Sequence, residues 1–314
     1  MPSLHTRKVS FYLRSFLLSL IPNYFWRKEY AAIKINHLAF QDNDISSRVN
    51  YYCKINSVFD LPKSKKKIGD LSVFKEPSAP CYDLLRYLRY FPVDKLFLSD
   101  LTDQRDIPTQ ATFVKCRPVS NENENYVLLK LNSSRFYDFP NDRVAFVEKK
   151  NTAIFRGPCH KPHRKEFIKK CYGLPNTDIG DTRKAVIEEK FHRSFTSREE
   201  QLKNKFIISI EGNDVASNLP WIMASNSVAF MTKPKFEGWF MQGRLIPNHH
   251  YVLLKEDYSD LEEKIDYYSF HTNEALEIIN NAQNHVTQFF DKKRELMISL
   301  LVVEKYFRLS GQIE

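Results

Sequence analysis

Three aspartates follow one short apolar run in the first half of the chain and are the first candidates for acid–base chemistry. Residues 95–98 predict a short strand, and Asp100, Asp103 and Asp106 come soon after it. The carboxyl end of a strand is where cleft residues of an α/β protein lie, and a carboxylate there can take a proton from a substrate hydroxyl. Each of the three can instead cap a loop or bind water, so their spacing leaves the choice open.

A basic segment in the middle of the chain, FRGPCHKPHR, has the side chains that bind phosphate. Arg156 and Gly157 end a strand predicted at residues 152–155, and Arg164 follows seven residues after the glycine. A guanidinium can pair bidentately with phosphate oxygens. Histidines beside Cys159 would also suit a metal, but no second group of ligands follows at a recognisable spacing. We therefore predict a phosphate-facing loop, with further positive charge from His160, Lys161 and His163.

Residues 205–251 have the layout of a nucleotide-binding crevice. The apolar run at residues 206–210 predicts a parallel strand that is buried on both faces and ends at Gly212-Asn213. Ser217 is predicted to cap the helix that follows. A helix N-terminus after a strand attracts phosphate. After the next predicted strand, residues 227–231, a polar loop leads to Glu237, which we place at the start of another helix.

Strands and helices alternate around these candidates, and this alternation predicts an α/β protein. Short strands are predicted at residues 113–114 and 126–131 of the first half. Near the C-terminus, residues 274–290 and 292–309 are strongly helical in pattern, and Ser259 with Glu262 forms a predicted capping box. Two Rossmann-like domains facing a cleft would fit this order of elements.

Composition bounds the possible classes of protein. The 314 residues suit two domains or one large domain, and the net charge of +9 attracts anions such as nucleic acid, acidic lipid, sugar nucleotides or phosphorylated glycans. A solvated basic surface without a specific partner remains the alternative. The five cysteines are scattered, odd in number and never in a CxxC pair, which favours a reduced, cytoplasmic setting and argues against zinc.

The first thirty residues predict an amphipathic helix. Its apolar run is too short to span a bilayer and is interrupted by Arg14, and it lacks the small-residue cleavage site of a signal peptide. Basic and aromatic residues beside it favour a helix that lies in a membrane interface, whereas a helix packed on its own domain is the alternative. The apolar residues at helical spacing are Val9, Leu13, Phe16, Leu17, Leu20 and Ile21.

An ordered set of residues in the second half of the chain resembles glycosyltransferase family 90. The resemblance extends more weakly upstream to about Lys95. The family includes bacterial lipooligosaccharide-core transferases, fungal capsule xylosyltransferases and animal protein O-glucosyltransferases. The matching residues are Gly212, Ser217, Ser225-Asn226-Ser227-Val228, Glu237, Trp239-Phe240, Leu245, Pro247, His250-Tyr251 and Ser259-Asp260-Leu261.

The resemblance implies a GT-B-like fold, in which two Rossmann-like domains face a central cleft. On that basis residues 1–30 are a basic amphipathic segment and residues 31–148 an acceptor-side α/β domain. Residues 149–290 are then the domain that binds the nucleotide sugar. The last segment, residues 291–314, is a helix that packs back toward the first domain.

The resemblance also assigns roles to the first candidates. The family's catalytic aspartate follows the strand at residues 95–98, which favours Asp100 as the general base. A serine often follows the family's Arg-Gly pair, and here Pro158 removes both a hydroxyl and an N–H, so that contact is not expected. The donor diphosphate is implied to contact Arg156, Gly157 and Arg164.

Further donor contacts are implied around the glycine turn, where backbone N–H groups of Gly212, Asn213 and Ser217 would hold the diphosphate. Animal relatives carry an arginine just beyond this serine, whereas this chain has Asn218 and Leu219. Arg164 must then carry more of the charge, or a lysine such as Lys233 or Lys235 supplies it.

Three charged residues complete the implied site. A carboxylate at the position of Glu237 often hydrogen-bonds a ribose in GT-B enzymes, although a helix N-terminus favours glutamate without any ligand. Lys115 and Arg117 resemble part of a VK-x-RP segment of the bacterial members. Either they meet an acceptor phosphate or they are a solvated strand end. The family works without an essential metal, so we predict neither a metal nor another cofactor.

The predicted function is inverting transfer of a hexose from a UDP-sugar to the inner core of lipooligosaccharide or lipopolysaccharide, onto a heptose. The acceptor is then a lipid-linked anionic glycan, and the protein is cytoplasmic and peripheral on the inner face of the inner membrane, with no nucleic-acid partner. One alternative is a protein O-glycosyltransferase of the same family. The other is a non-catalytic basic protein that binds membranes or nucleic acid.

Overall fold

The computed structural model describes residues 4–38, 43–71, 78–103, 107–131, 133–183 and 188–314. The chain forms two compact units: unit 1 consists of Met1–Arg135, Phe236–Phe240 and Phe289–Glu314, and unit 2 of Phe136–Lys235 and Met241–Gln288. Both combine helices with parallel strand pairs, so the predicted α/β class is confirmed. The first boundary falls at residues 135–136 rather than 148–149, and a five-residue piece around Glu237 joins unit 1.

The strands are mostly short. In chain order they are β1 (Lys66–Lys67), β2 (Leu96–Phe97), β3 (Ser99–Asp100), β4 (Thr112–Val114), β5 (Cys116–Pro118), β6 (Tyr126–Leu128), β7 (Lys150–Gly157), β8 (Thr177–Asp181), β9 (Asn204–Ile208), β10 (Val228–Met231), β11 (Phe236–Gly238) and β12 (Val252–Leu253).

The helices include several longer than three turns. In chain order they are α1 (Leu4–Ser19), α2 (Asn23–Leu38), α3 (Asn43–Tyr52), α4 (Ala79–Leu88), α5 (Ser133–Phe136), α6 (Pro162–Cys171), α7 (Arg198–Gln201), α8 (Leu219–Met223), α9 (Leu261–Phe270), α10 (Thr272–Thr287) and α11 (Lys292–Leu309). Short 3-10 helices lie at Ile68–Asp70, Phe146–Glu148, Glu189–Phe191 and Gln242–Arg244.

Unit 2 is built on a parallel sheet with the strand order β12-β10-β9-β7-β8. The apolar runs at residues 152–155, 206–210 and 227–231 are confirmed as strands. Their side chains are buried on both faces, since helices such as α6 and α9 contribute to the same core. The parallel pairing places the carboxyl ends of β7 and β9 side by side, which positions the start of α6, with Arg164, beside the loop that carries Gly212.

Unit 1 contains smaller sheets. Strands β3, β4 and β6 pair in parallel, and β5 pairs antiparallel with β11 in a register that sets Arg117 opposite Glu237. Helix α11 packs against α3 and α4. Its Tyr306 is fully buried, and the hydroxyl donates to the carbonyl of Ala111 at 3.2 Å. The predicted C-terminal helix is thus confirmed, and it belongs to unit 1.

Helices α1 and α2 confirm the predicted N-terminal helix, which ends before Pro22, and add a second one after it. They contact α4 and the turn that follows it: the rings of Trp26 and Tyr90 meet edge to face at 5.4 Å, and Arg89 donates to the carbonyl of Leu18 at 2.7 Å. None of the helices described here is long and apolar enough to cross a membrane.

Three local predictions were wrong. Glu237 lies on strand β11 and not at a helix start, because its segment pairs with β5. Helix α8 begins two residues after Ser217 and has no side-chain cap. Ser259 does not cap α9, since its hydroxyl donates to Asp257 at 2.7 Å instead, while Asp260 occupies the N-cap position without a capping hydrogen bond.

Candidate functional site

The guanidinium of Arg164 connects the two loops that leave β7 and β9 in unit 2. Its Nε donates to the carbonyl of Glu211 at 2.9 Å and its Nη2 to that of Ile210 at 2.6 Å, both after β9. Its Nη1 donates to Pro158 after β7 at 3.1 Å. Arg164 can make these bonds because it lies in the first turn of α6, and Pro162 supplies the preset first turn of that helix.

Arg164 keeps two N–H groups for a ligand. A guanidinium has five donors, and the three carbonyl bonds leave one donor on each Nη without a partner among the described residues. No carboxylate among the described residues forms an ion pair with Arg164. Burial without a compensating anion lowers the pKa of Arg164, although the group remains charged at neutral pH. A diphosphate would supply the missing negative charge.

Two glycines lie next to this guanidinium. A Cβ built on Gly157 would lie 3.6 Å from Arg164 Nη1, and one built on Gly212 would lie 3.7 Å from Nη2. The Gly157 position is also tight against the ring of Phe155, at 3.1 Å. The structure therefore brings Gly212 next to Gly157 and Arg164, which come from a separate, earlier segment of the chain, and leaves backbone exposed where an anion could approach.

Arg156 is not part of this group. Its side chain donates to the carboxylate of Asp178 on β8 at 2.6 Å and to the backbone carbonyl of the same residue at 2.7 Å. Its Nε is buried without a hydrogen-bond partner in the described structure. The predicted diphosphate contact of Arg156 stays a prediction, and the observed geometry gives it a role in joining β7 to β8.

The glycine turn after β9 is held by its own backbone. The N–H of Gly212 donates to the carbonyl of Asp214 at 3.0 Å, and Ser217 is exposed at the end of the turn. Asn218 follows Ser217 directly. It accepts from the hydroxyl of Ser209 at 2.9 Å and donates to the carbonyl of Ile208 at 3.2 Å, so it ties α8 to the end of β9.

Further basic residues surround the loop after β7. His163 lies 2.8 Å from the carbonyl of Glu211, and Lys161 is half-buried. Partial desolvation and the charges of Lys161 and Arg183 lower the pKa of His160, which is expected in a positive environment. The described residues contain no cluster of three or more His, Cys, Asp or Glu that could hold a metal ion. The absence of an essential metal stays a prediction.

Asp100 borders a cavity of about 380 Å³ in unit 1. Its Oδ1 accepts from the N–H of Thr102 at 2.9 Å and from the hydroxyl of the same residue at 2.6 Å. These two bonds fix the carboxylate, and Oδ2 has no partner among the described residues. The other lining residues are Pro62, Ser64, Lys66, Leu98, Ser99, Pro108, Thr109, Gln110 and Thr112.

The alternatives to Asp100 differ in their surroundings. Asp103 forms an ion pair with Lys115, which neutralises its charge. Asp106 lies outside the described residues. Of the two described aspartates, Asp100 is the one that borders the cavity.

Polar residues that the sequence did not single out also line this cavity. The hydroxyl of Ser99 and the Oε1 atom of Gln110 are buried and have no hydrogen-bond partner in the described structure. An unsatisfied buried polar atom is unfavourable. Ser99 directly precedes Asp100, so adjacency to the candidate base was the one signal that could have identified it.

Arg117 and Glu237 form a buried ion pair within unit 1. Arg117 Nε donates to Glu237 Oε1 at 2.6 Å, and both side chains are almost completely buried. The remaining guanidinium donors reach the carbonyls of Tyr51, Tyr126 and Tyr52 at 2.7, 3.2 and 3.5 Å. The Tyr51 hydroxyl also donates to Glu237. The predicted contacts of Arg117 with acceptor and of Glu237 with ribose stay untested, but both groups already have structural partners.

Comparison with known proteins gives a consistent result. The sequence pattern described as "Glycosyl transferase family 90" matches residues 130–309. The chain is 40% identical over 307 residues to "O-glucosyltransferase LpsA" of Dichelobacter nodosus, which covers 96% of each chain. It is 24% identical over 172 residues to "Protein O-glucosyltransferase 3" of Homo sapiens, covering 53% of this chain and 34% of the human protein.

Proposed function

The chain belongs to glycosyltransferase family 90, and on that premise we propose that it transfers glucose from UDP-glucose to a hydroxyl of a lipid-linked anionic glycan. Glucose is favoured because both relatives are named O-glucosyltransferases. The bacterial relative, which matches along nearly the whole chain, favours a heptose of the lipopolysaccharide inner core as acceptor. The proposal places the protein in the cytoplasm, on the inner face of the inner membrane.

The proposed donor site rests on Arg164. This guanidinium has two unused N–H groups, no paired carboxylate among the described residues, and the backbone of Gly157 and Gly212 beside it. A diphosphate can accept both N–H groups while it approaches the glycines closely. We propose that the donor is held without a metal, and no cofactor takes part in the proposed reaction.

The proposed acceptor site is the cavity beside Asp100. In the reaction, Asp100 Oδ2 takes the proton of the acceptor hydroxyl. At the same time the oxygen of that hydroxyl forms a bond to C1 of glucose. The bond between C1 and the β-phosphate oxygen breaks at the same time, and UDP leaves with the electron pair. One displacement inverts the configuration at C1. The two N–H groups of Arg164 stabilise the charge that develops on the diphosphate.

UDP release from a panel of nucleotide sugars tests the proposal, with purified lipopolysaccharide core as acceptor and EDTA present. We expect turnover with UDP-glucose. Asp100→Asn should lower turnover by roughly 10²–10⁴-fold, as expected for loss of a general base, while UDP affinity stays within a few fold. Asp103→Asn is the matched control, because it removes a carboxylate three positions away that already pairs with Lys115.

Other outcomes of this assay would overturn the proposal. Turnover with a different sugar nucleotide would contradict the assignment of UDP-glucose as donor. Turnover with a peptide but not with the glycan would support protein O-glucosylation instead. UDP binding without release from any donor, with metal restored, would favour a non-catalytic binding protein. Normal turnover by Asp100→Asn together with loss in Asp103→Asn would move the base to Asp103.

A further inference from the structure

We propose that helices α1 and α2 form a docking surface for an anionic lipid bilayer. The surface, called the outer face here, consists of Val9, Leu13, Leu17, Leu20, Tyr24 and Phe25. The inference specifies how the proposed enzyme meets a membrane. It rests on side chains that take no part in sugar transfer, and it can be tested without nucleotide or glycan.

The apolar side chains of the outer face are largely exposed. Leu13, Leu20 and Phe25 are 59%, 63% and 60% exposed, respectively. Residues 9, 13 and 17 recur every four positions, so they share one side of α1. Leu20 follows directly after that helix, and Tyr24 and Phe25 lie in the first turn of α2. A contiguous apolar patch of this kind marks an interaction surface.

The opposite side of the same helices packs against the rest of unit 1. The ring of Phe11 meets that of Tyr82 at 6.4 Å. Arg89 lies 4.9 Å from the ring of Trp26, and Tyr30 packs against Phe91 at 5.1 Å. These contacts fix which side of each helix is turned outward. The apolar stripe of α1 is therefore presented to the surroundings and not used to build the core.

The charges beside the outer face favour an anionic membrane as its binding partner. Arg14, Arg27 and Lys28 are exposed around it, and Lys28 Nζ lies 4.7 Å above the ring of Tyr24. The single exposed acid nearby in the sequence, Glu29, accepts from the hydroxyl of Tyr90 at 3.2 Å. Apolar side chains with basic residues and aromatic rings at their border match the boundary between headgroups and acyl chains of an anionic membrane.

A second copy of the chain is a poorer occupant. In a symmetric dimer across the outer face, the same patch would meet itself. Arg14, Arg27 and Lys28 of the two copies would then share one interface, and like charges brought together are unfavourable. An anionic bilayer instead brings the opposite charge to the same residues.

Sedimentation with vesicles tests this proposal, using the full chain and vesicles of phosphatidylglycerol with phosphatidylethanolamine. We expect the protein to bind these vesicles, and to bind phosphatidylcholine vesicles more weakly. Leu13→Gln with Leu17→Gln should weaken binding at least about tenfold, because each change replaces a branched apolar group in the lipid contact by a polar amide. Replacing Arg14, Arg27 and Lys28 by Gln should remove most of the salt-sensitive part of the binding.

Controls separate this result from misfolding and from failure of the proposed enzyme activity. Phe270→Gln and Val58→Gln change apolar residues that are 85% and 81% exposed elsewhere, and both should bind vesicles like the unchanged protein. The Leu13/Leu17 variant should keep its melting temperature and UDP affinity. The proposal is wrong if the unchanged protein ignores anionic vesicles, or if the Leu13/Leu17 variant binds them equally well. Loss of a dimer in this variant without vesicle binding would assign the face to a second copy.

Discussion

Replacement of Arg164 by Gln tests the proposed donor site most directly. The change removes the positive charge and the two N–H groups left over after the three carbonyl bonds. Hydrogen bonds to charged groups contribute about 1.5–3 kcal/mol each, so two of them, with some overlap, correspond to about 3 kcal/mol. UDP should therefore bind roughly 150-fold more weakly to Arg164→Gln.

The same change also loosens the two loops, and the assay must separate this effect from loss of phosphate contact. The carbonyls of Pro158, Ile210 and Glu211 lose a donor, but the first lies in an exposed contact and water can replace the arginine there. Isothermal titration with UDP, UMP and uridine distinguishes the two effects. We expect a large loss for UDP, a smaller loss for UMP and almost no change for uridine. Arg164→Lys should be intermediate, because lysine keeps the charge but not the bidentate geometry.

Two matched variants complete this experiment. Lys203→Gln removes the same charge from an exposed position that pairs with Glu200, and UDP affinity should not change. Gly212→Ala adds a methyl group at ordinary contact distance from Arg164, 3.7 Å, so the free protein should accept it while the space for phosphate is reduced. Equal weakening of UDP and uridine in Arg164→Gln would refute the reasoning, since it would show a structural role only. Unchanged UDP affinity would refute it as well.

Two further predictions concern buried charges. Glu237→Gln should lower the free energy of unfolding by about 3–5 kcal/mol, because Arg117 is left buried without an anion. Thermal melting measures this loss. The double variant Arg117→Met with Glu237→Leu should recover part of it, since it removes both charges. If Glu237→Gln instead melts normally and loses UDP affinity, the ribose contact is real. Burial raises the pKa of Asp83 to about 6, above its unfolded value, so its protonation stabilises the fold below about pH 4, and this contribution is lost as pH rises through 6. Asp83→Asn should therefore remove up to about 3 kcal/mol of pH dependence between pH 4 and 6 in denaturant titrations, whereas an unchanged slope would contradict this assignment.

The sequence predicted those parts of the fold that depend on neighbouring residues. Strands β7, β9 and β10 are buried on both faces, so each is a continuous apolar run that can be recognised alone. Helix α11 could also be predicted from neighbouring residues alone, because its apolar stripe repeats over several turns. The proximity of Arg164 to Gly212 follows once both are assigned to the carboxyl ends of adjacent parallel strands.

Features that depend on distant partners could not be predicted. Glu237 was placed on a helix because three residues are too few to show a strand period, and its pairing with Arg117 links positions 120 residues apart. The unsatisfied atoms of Ser99 and Gln110 follow from cavity shape, which has no sequence pattern. Helical spacing shows that α1 has one apolar side, but it does not show whether that side faces protein or solvent.

The division of unit 1 among three chain segments has a consequence for biosynthesis. Arg117 is synthesised long before its partner Glu237. Arg48 is likewise synthesised before Glu295, which lies 247 residues later and accepts a hydrogen bond from Arg48 at 2.5 Å. Until these glutamates have been synthesised, Arg48 and Arg117 have no counter-ion. Their burial is then unfavourable, so the early part of unit 1 is not expected to fold. Unit 2 spans a nearly continuous stretch and can close first. Nascent unit 1 is therefore expected to depend on chaperones during synthesis, and a fragment that stops at residue 135 should be insoluble.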